Sequence, residues 1–418
     1  MPIRPYLPGF IVGAAILFAI LFSWGSPLMA QATTDFAAWK DAKNAKDVPE
    51  WARTLLNRDF RDITGTAREE LLAKTLEALI EIVADSRVVP STRYNAVLVS
   101  GQLVAAPGNP PAAYPAALLY LVDVYQRADT PHYIRCGALL GIVRHALCGI
   151  DPSQQERVID LLLETVTTEL YADTVSWAVG DWCRITALEG LAAMKITGTE
   201  SAHGKGKVVS ELLPVINRKT QELNNLCSRQ STFTRQDWEQ ARRAIELASH
   251  VAKTLGDLNY KDVEGKLVPD VDAKTMTDTF VGLIRAVCGF EYKMIVDTID
   301  RKEVSFDSAI LLEQIVVDIK MSTQSVAWGI RGWFLAGNPG ENSLLASLPN
   351  DDPVKERLDI FLSEINELTA FLDEGDKAKK STPAGNAPKA FKFDISELRD
   401  VLVKSPTTFK KDQTSGNE

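Results

Sequence analysis

The chain has 418 residues, 45% of them hydrophobic, and 46 Lys and Arg against 55 Asp and Glu give a formal net charge of −9. That apolar content is enough for a large core, which excludes a disordered chain, and the length fits one elongated domain or two or three compact ones. The acidic balance argues against nucleic acid and anionic membrane surfaces as partners, because both would be repelled over a Debye length.

Residues 1–32 stand apart. Arg4 precedes an apolar run from Phe10 to Trp24, and small residues follow up to Ala30-Gln31-Ala32. A basic start, an apolar centre and small residues before a cut site predict a secretory signal peptide cleaved after Ala32. The expected location is the periplasm or cell envelope. The alternative is an uncleaved single-pass anchor, although the run is short for a span of about 20 residues. Cys136, Cys148, Cys183, Cys227 and Cys288 are few, odd in number and widely spaced, unlike a small disulfide-rich secreted domain, so core packing has to hold the fold.

After a lead segment, 33–66, the apolar residues recur at helical spacing with no sustained alternation, which predicts an all-α fold. The helices come in pairs: Arg68 to Ala84 with Ser91 to Val104, Pro115 to Ala128 with Tyr133 to Leu147, and Ser153 to Ala172 with Gly180 to Ile196. Two landmarks mark these pairs as copies of one unit. Ala84-Asp85, Ala128-Asp129 and Ala172-Asp173 recur 44 residues apart at the end of each leading helix. Near the start of each following helix stands Arg-x-x-Ala-aliphatic, at Arg93 to Val97, Arg135 to Leu139 and Arg184 to Leu188.

These residues resemble the HEAT repeat family, whose paired antiparallel helices of about 40 to 47 residues stack into a solenoid. The resemblance covers 67–255. It implies a ladder in which Asp85, Asp129 and Asp173 supply the acid and Arg93, Arg135 and Arg184 the base. A degenerate fourth unit would place helices at Lys207 to Arg218 and Gln236 to Leu255. In the C-terminal helical region, 256–373, a polar connection from Asp257 to Ala273 leads to helices at Thr275 to Ile299, Phe306 to Ser322 and Pro353 to Leu372. Residues 374–418 read as a disordered low-complexity tail with a short docking helix from Phe391 to Val403.

His132, Cys136, His145 and Cys148 invite a metal reading, but a continuous helix defeats it. With His132 at zero, Cys136 falls at about 40°, Cys148 at about 160° and His145 at about 220°, and the ends lie about 24 Å apart. Zinc ligands must converge to about 2.0 to 2.3 Å from one ion. The segment is better read as a repeat helix in which Ala138, Leu139, Ile142 and Ala146 form the apolar stripe, Gly137 and Gly141 admit a neighbour, and Arg144 and His145 face solvent. The loop Gly198 to Lys207 lacks the four-residue glycine spacing, the hydroxyl and the preceding strand of a phosphate loop. Glu69 with Glu70 and Asp351 with Asp352 read as helix-start charges rather than a catalytic dyad. No nucleophile or histidine-base motif is present, so no catalytic residue, cofactor or metal is expected.

Trp177 and Trp182 are read as interrupting the third repeat, and Trp328 and Trp333 as lying between C-terminal helices. Tryptophan is favoured at interface centres, so these four are the candidate partner-binding residues. The expectation is an exported, non-enzymatic scaffold or protein-binding module with a protein partner. An N-terminally anchored structural protein, or an enzyme or cofactor-binding protein with its site in the C-terminal helices, is the alternative.

Overall fold

The computed structural model describes residues 36–41, 52–56, 60, 63–168, 177–199, 204–229, 233–297, 308–332, 340–380 and 401–402. The signal segment, Asp173, Trp333 and most of the tail lie outside them. The described chain is predominantly helical, in agreement with the all-α expectation. Its helices are α1 (Phe36–Asp41), α2 (Gly65–Ala84), α3 (Pro90–Ser100), α4 (Pro115–Gln126), α5 (His132–Cys148), α6 (Pro152–Thr167) and α7 (Trp177–Met194). They continue as α8 (Lys207–Ser228), α9 (Arg235–Gly256), α10 (Ala273–Ile295), α11 (Ser308–Arg331), α12 (Leu344–Ser347) and α13 (Pro353–Lys380). A small antiparallel pair, β1 (Val104–Ala106) and β2 (Ala112–Ala113), interrupts the helical order between α3 and α4.

Helix starts follow the local chemistry. Pro90, Pro115 and Pro152 stand in the first turn of α3, α4 and α6, where the missing N–H costs no hydrogen bond and the fixed φ suits a helix. Asp151, Asp272 and Ser343 accept from Ser153 N, Thr275 N and Ala346 N. Thr234 and Asp237 form a reciprocal capping box at α9, each side chain accepting the other's backbone N–H, which satisfies two otherwise orphaned donors.

Each leading helix packs on the one that follows it, α2 on α3, α4 on α5, α6 on α7, α8 on α9 and α10 on α11. The second members also touch one another in order, α3 to α5 to α7 to α9 to α11. The buried residues form one continuous cluster from Trp39 through Leu121, Leu188 and Phe280 to Leu372. The Ala-aliphatic part of the recurring motif sits inside it: Ala96, Val97, Ala138, Leu139, Ala187 and Leu188 are essentially inaccessible. α13 closes the C-terminal end against α10 and α11.

Four expectations need correction. His145 and Arg144 do not face solvent: His145 is 1% exposed, and Arg144 donates to the Leu98 carbonyl at 3.3 Å. α5 is gripped by α3, α4 and α7 together, so little of its circumference remains for water. The connection after Asp257 is not a bare polar linker, because Tyr260, Val268 and Val271 are buried. There Tyr260 donates its hydroxyl to the Leu255 carbonyl at 2.7 Å. Glu69 and Glu70 lie in the second turn of α2, which begins at Gly65 rather than at Arg68. Finally, α13 runs on to Lys380, and Leu402, within the short helix expected in the tail, is 0% exposed and joins the core.

Candidate functional site

Trp177, Trp182 and Trp328 lie within helices rather than at the breaks expected, and Trp333 is outside the described residues. Trp177 opens α7 and Trp182 stands in its second turn, while Trp328 lies inside the last turn of α11. Five residues along a helix amount to about 140° of rotation, so Trp177 and Trp182 diverge around α7. Both remain open to solvent, at 57% and 38% exposure.

Around Trp177 the neighbouring helices build an ionic frame. The Arg243 guanidinium of α9 lies 4.5 Å from the centre of the Trp177 ring. Arg243 Nε donates to Asp181 Oδ2 at 2.6 Å, and Arg184 Nη1 donates to Asp181 Oδ1 at 3.3 Å. Asp181 thus takes two guanidinium groups, one from its own helix and one from α9. Cation–π contacts at exposed sites contribute about 0.5–1 kcal/mol. That is enough to favour one ring orientation without burying the indole, so its outer face stays available to a partner.

Trp328 has a different load. Its Nε1 donates to Asp257 Oδ1 at 2.9 Å, and Lys253 Nζ lies 6.0 Å over its ring. A Cβ on Gly256 would fall 2.2 Å from the Trp328 carbonyl oxygen, so α9 and α11 touch backbone to backbone beside it. The indole pins the end of α9 to α11.

A third group, not signalled by any motif in the residue order, is buried among α9, α10 and α11. Glu291 is 1% exposed and Asp318 2%, and neither oxygen of Glu291 has a hydrogen-bond partner. Burial, with the Asp318 charge adding, holds the Glu291 carboxyl well above the usual range. Asp318 is pushed up to about 6, chiefly by burial, against the opposing pull of Arg242 and Gln314. Arg242 Nε lies 3.5 Å from Asp318 Oδ2, close enough for Coulombic attraction and too long for a good hydrogen bond. Its guanidinium also lies 5.1 Å from the centre of the Trp238 ring. Both carboxyls are enclosed among the described helices.

The four histidines and cysteines of α5 point to separate surroundings. His132 is exposed, Cys136 approaches Cys183 of α7, His145 is buried near the Ser100 carbonyl, and Cys148 is half-buried at the far end. Among the described residues no three His, Cys, Asp or Glu side chains group as metal ligands. At the Gly198 to Lys207 loop, Asp270 Oδ2 accepts from Lys205 N at 2.9 Å, and a Cβ on Gly206 would strike the Asp270 backbone at 2.4 Å. The Asp270 carboxylate therefore already takes the Lys205 backbone N–H.

The implied ladder is not made at the first unit. Asp85 accepts two hydrogen bonds from the Arg87 side chain in its own turn, whereas Arg93 donates to the Val83 carbonyl and the Tyr133 hydroxyl. No family model, curated protein or solved structure matches this chain. No helix among the described residues is long and apolar enough to cross a membrane.

Proposed function

We propose that this protein is an exported, non-enzymatic scaffold whose paired helices stack as a HEAT-like solenoid and present the exposed indoles at the start of α7, Trp177 and Trp182, to a protein partner. The observation that carries the reading is the exposure of both indoles, with Trp177 set against a frame of Arg243, Asp181 and Arg184. Large aromatics with an arginine neighbour are the residue types that dominate binding energy at protein interfaces. The ordered contact of α3, α5, α7, α9 and α11 supports the solenoid reading, since neighbour-only packing along a row is how such repeats bury their faces. Export rests on the order of residues 1–32.

Affinity capture from an envelope fraction tests the contact face. Trp177→Ala and Trp182→Ala should each weaken recovery of a partner while helix content and thermal midpoint stay at the parent values. Recovery unchanged in the double variant would remove this face from the proposal. A collapsed midpoint would return the side chains to a structural role.

A further inference from the structure

Cys136, in the second turn of α5, and Cys183, in the second turn of α7, place their sulfurs 4.0 Å apart. They are separated by 47 residues in sequence and join two consecutive members of the helix row. A disulfide needs its sulfurs at about 2.05 Å, so closure requires an approach of about 2 Å. Rotation about the two Cα–Cβ bonds is the motion through which the sulfurs would approach. Cys136 is half-buried and Cys183 is 1% exposed, so an oxidant reaches one sulfur of the pair first.

We propose that Cys136 and Cys183 are a redox-modification site that closes to a disulfide joining α5 to α7, with a small-molecule or protein disulfide as the oxidant. Cys136 is the attacking sulfur. The Cys183 thiol lies within hydrogen-bonding distance of its sulfur, and this contact, with Arg135 nearby, holds the Cys136 thiol below its ordinary range. The same bond and burial push Cys183 the other way. The Cys136 thiolate, its proton lost to water, attacks one sulfur of the incoming disulfide and expels the first thiolate, leaving a mixed disulfide. Cys183 then loses its proton, its sulfur attacks Cys136 Sγ, and the second thiolate leaves. Two protein thiols are oxidised, one disulfide is reduced to two thiols, and two electrons pass between them.

Cys227 and Cys288 are poor competitors, since burial pushes their thiols up to about 11 and about 12. The bond would fix the first two turns of α7, which carry Trp177 and Trp182, against α5. Only this last consequence rests on the proposed contact face; the bond itself does not.

The test is oxidation of the purified full chain with oxidised glutathione, followed by alkylation and peptide mapping by mass spectrometry. The expected product has lost two hydrogen atoms and yields one linked peptide pair, Cys136 with Cys183. Cys183→Ser should stop at a stable glutathione adduct on Cys136, and Cys136→Ser should leave Cys183 unmodified in the folded protein. Cys148→Ser should behave as the parent. A parent chain that accumulates the adduct without the link, links any other pair, or keeps all its thiols overturns the inference. None of these results bears on partner capture, so the two readings fail separately.

Discussion

Arg135 Nε donates to the Tyr125 backbone carbonyl at 2.8 Å while its guanidinium lies 5.4 Å from the centre of the Tyr125 ring. One unit earlier, Arg93 Nε makes the same bond to the Val83 carbonyl, also at 2.8 Å and also ten residues back. Each arginine thus closes the C-terminal turn of the helix that precedes its own, where carbonyls lack intrahelical partners and the dipole favours a cation. Arg184 is turned partly aside, reaching the Thr168 carbonyl at 3.4 Å while pairing with Asp181.

Replacing Arg93 or Arg135 by Ala should therefore cost about 1.5–3 kcal/mol each, the range for hydrogen bonds to charged donors. Arg184→Ala should cost less, because its bonds are longer. Urea unfolding of the three variants measures the order; equal losses at all three sites would refute the helix-end role.

Glycine tolerance should differ sharply by position. A Cβ on Gly101 would lie 2.4 Å from Gly141 Cα, and one on Gly141 would meet Leu121 Cδ1 at 2.8 Å. Gly101→Ala and Gly141→Ala should each destabilise by about 1–3 kcal/mol through overpacking. Gly282, within α10 and with nothing inside 4 Å, should gain about 0.5–1 kcal/mol as Ala. Thermal unfolding of the three variants measures these effects; a Gly101→Ala or Gly141→Ala protein as stable as the parent would refute the close α3–α5 approach.

The buried acids predict a stability that falls as pH rises. Glu291 and Asp318 are raised in the fold, Asp318 to about 6. Above the unfolded carboxylate range the native state therefore holds more protons than the unfolded one, and their contribution is fullest below that range. Asp318 loses its share as pH climbs from about 4 through 6, and Glu291, raised by the same burial, adds to the loss as pH rises. Glu291→Gln should flatten the slope and raise stability at neutral pH. A steeper slope in that variant would show that the buried carboxyl is stabilising.

His145 works in the opposite direction. Burial lowers it from 6.5 to about 4 despite the Ser100 carbonyl nearby, so below pH 6.5 the unfolded chain takes up a proton that the folded chain refuses. Its contribution is present above 6.5 and fades as pH falls to about 4, a loss of about 3 kcal/mol at 1.36 kcal/mol per unit. His145→Gln should make unfolding less pH-sensitive across that window. If denaturant midpoints of parent and variant run parallel from pH 4 to 7, His145 titrates normally and is not sealed by α3.

Residue order alone fixed the helical class and most helix bounds. A period of 3.6 and prolines in first turns are local signals, and they placed α2 to α7 and α9 within a few residues, whereas α8 runs past the expected end at Arg218 to Ser228. The recurrence of Arg-x-x-Ala-aliphatic was also legible, because close packing at Ala96, Ala138 and Ala187 demands a small residue at the same point each time. What the arginines bind was not: the family resemblance implied Asp85 as an acid partner, whereas Arg93 and Arg135 reach backbone carbonyls and Arg184 pairs with Asp181.

Tertiary structure decided the chemistry of the remaining side chains, since that depends on neighbours distant in sequence. Helical geometry separates the His and Cys residues of α5 from one another, but nothing in the spacing says that Cys136 meets Cys183. Likewise, only the convergence of α9, α10 and α11 turns Glu291 and Asp318 from ordinary helix acids into buried ones. Which face of α5 is wet was misread for the same reason: a helix gripped by three neighbours has scarcely any, and a single strand of sequence does not record how many neighbours it will have.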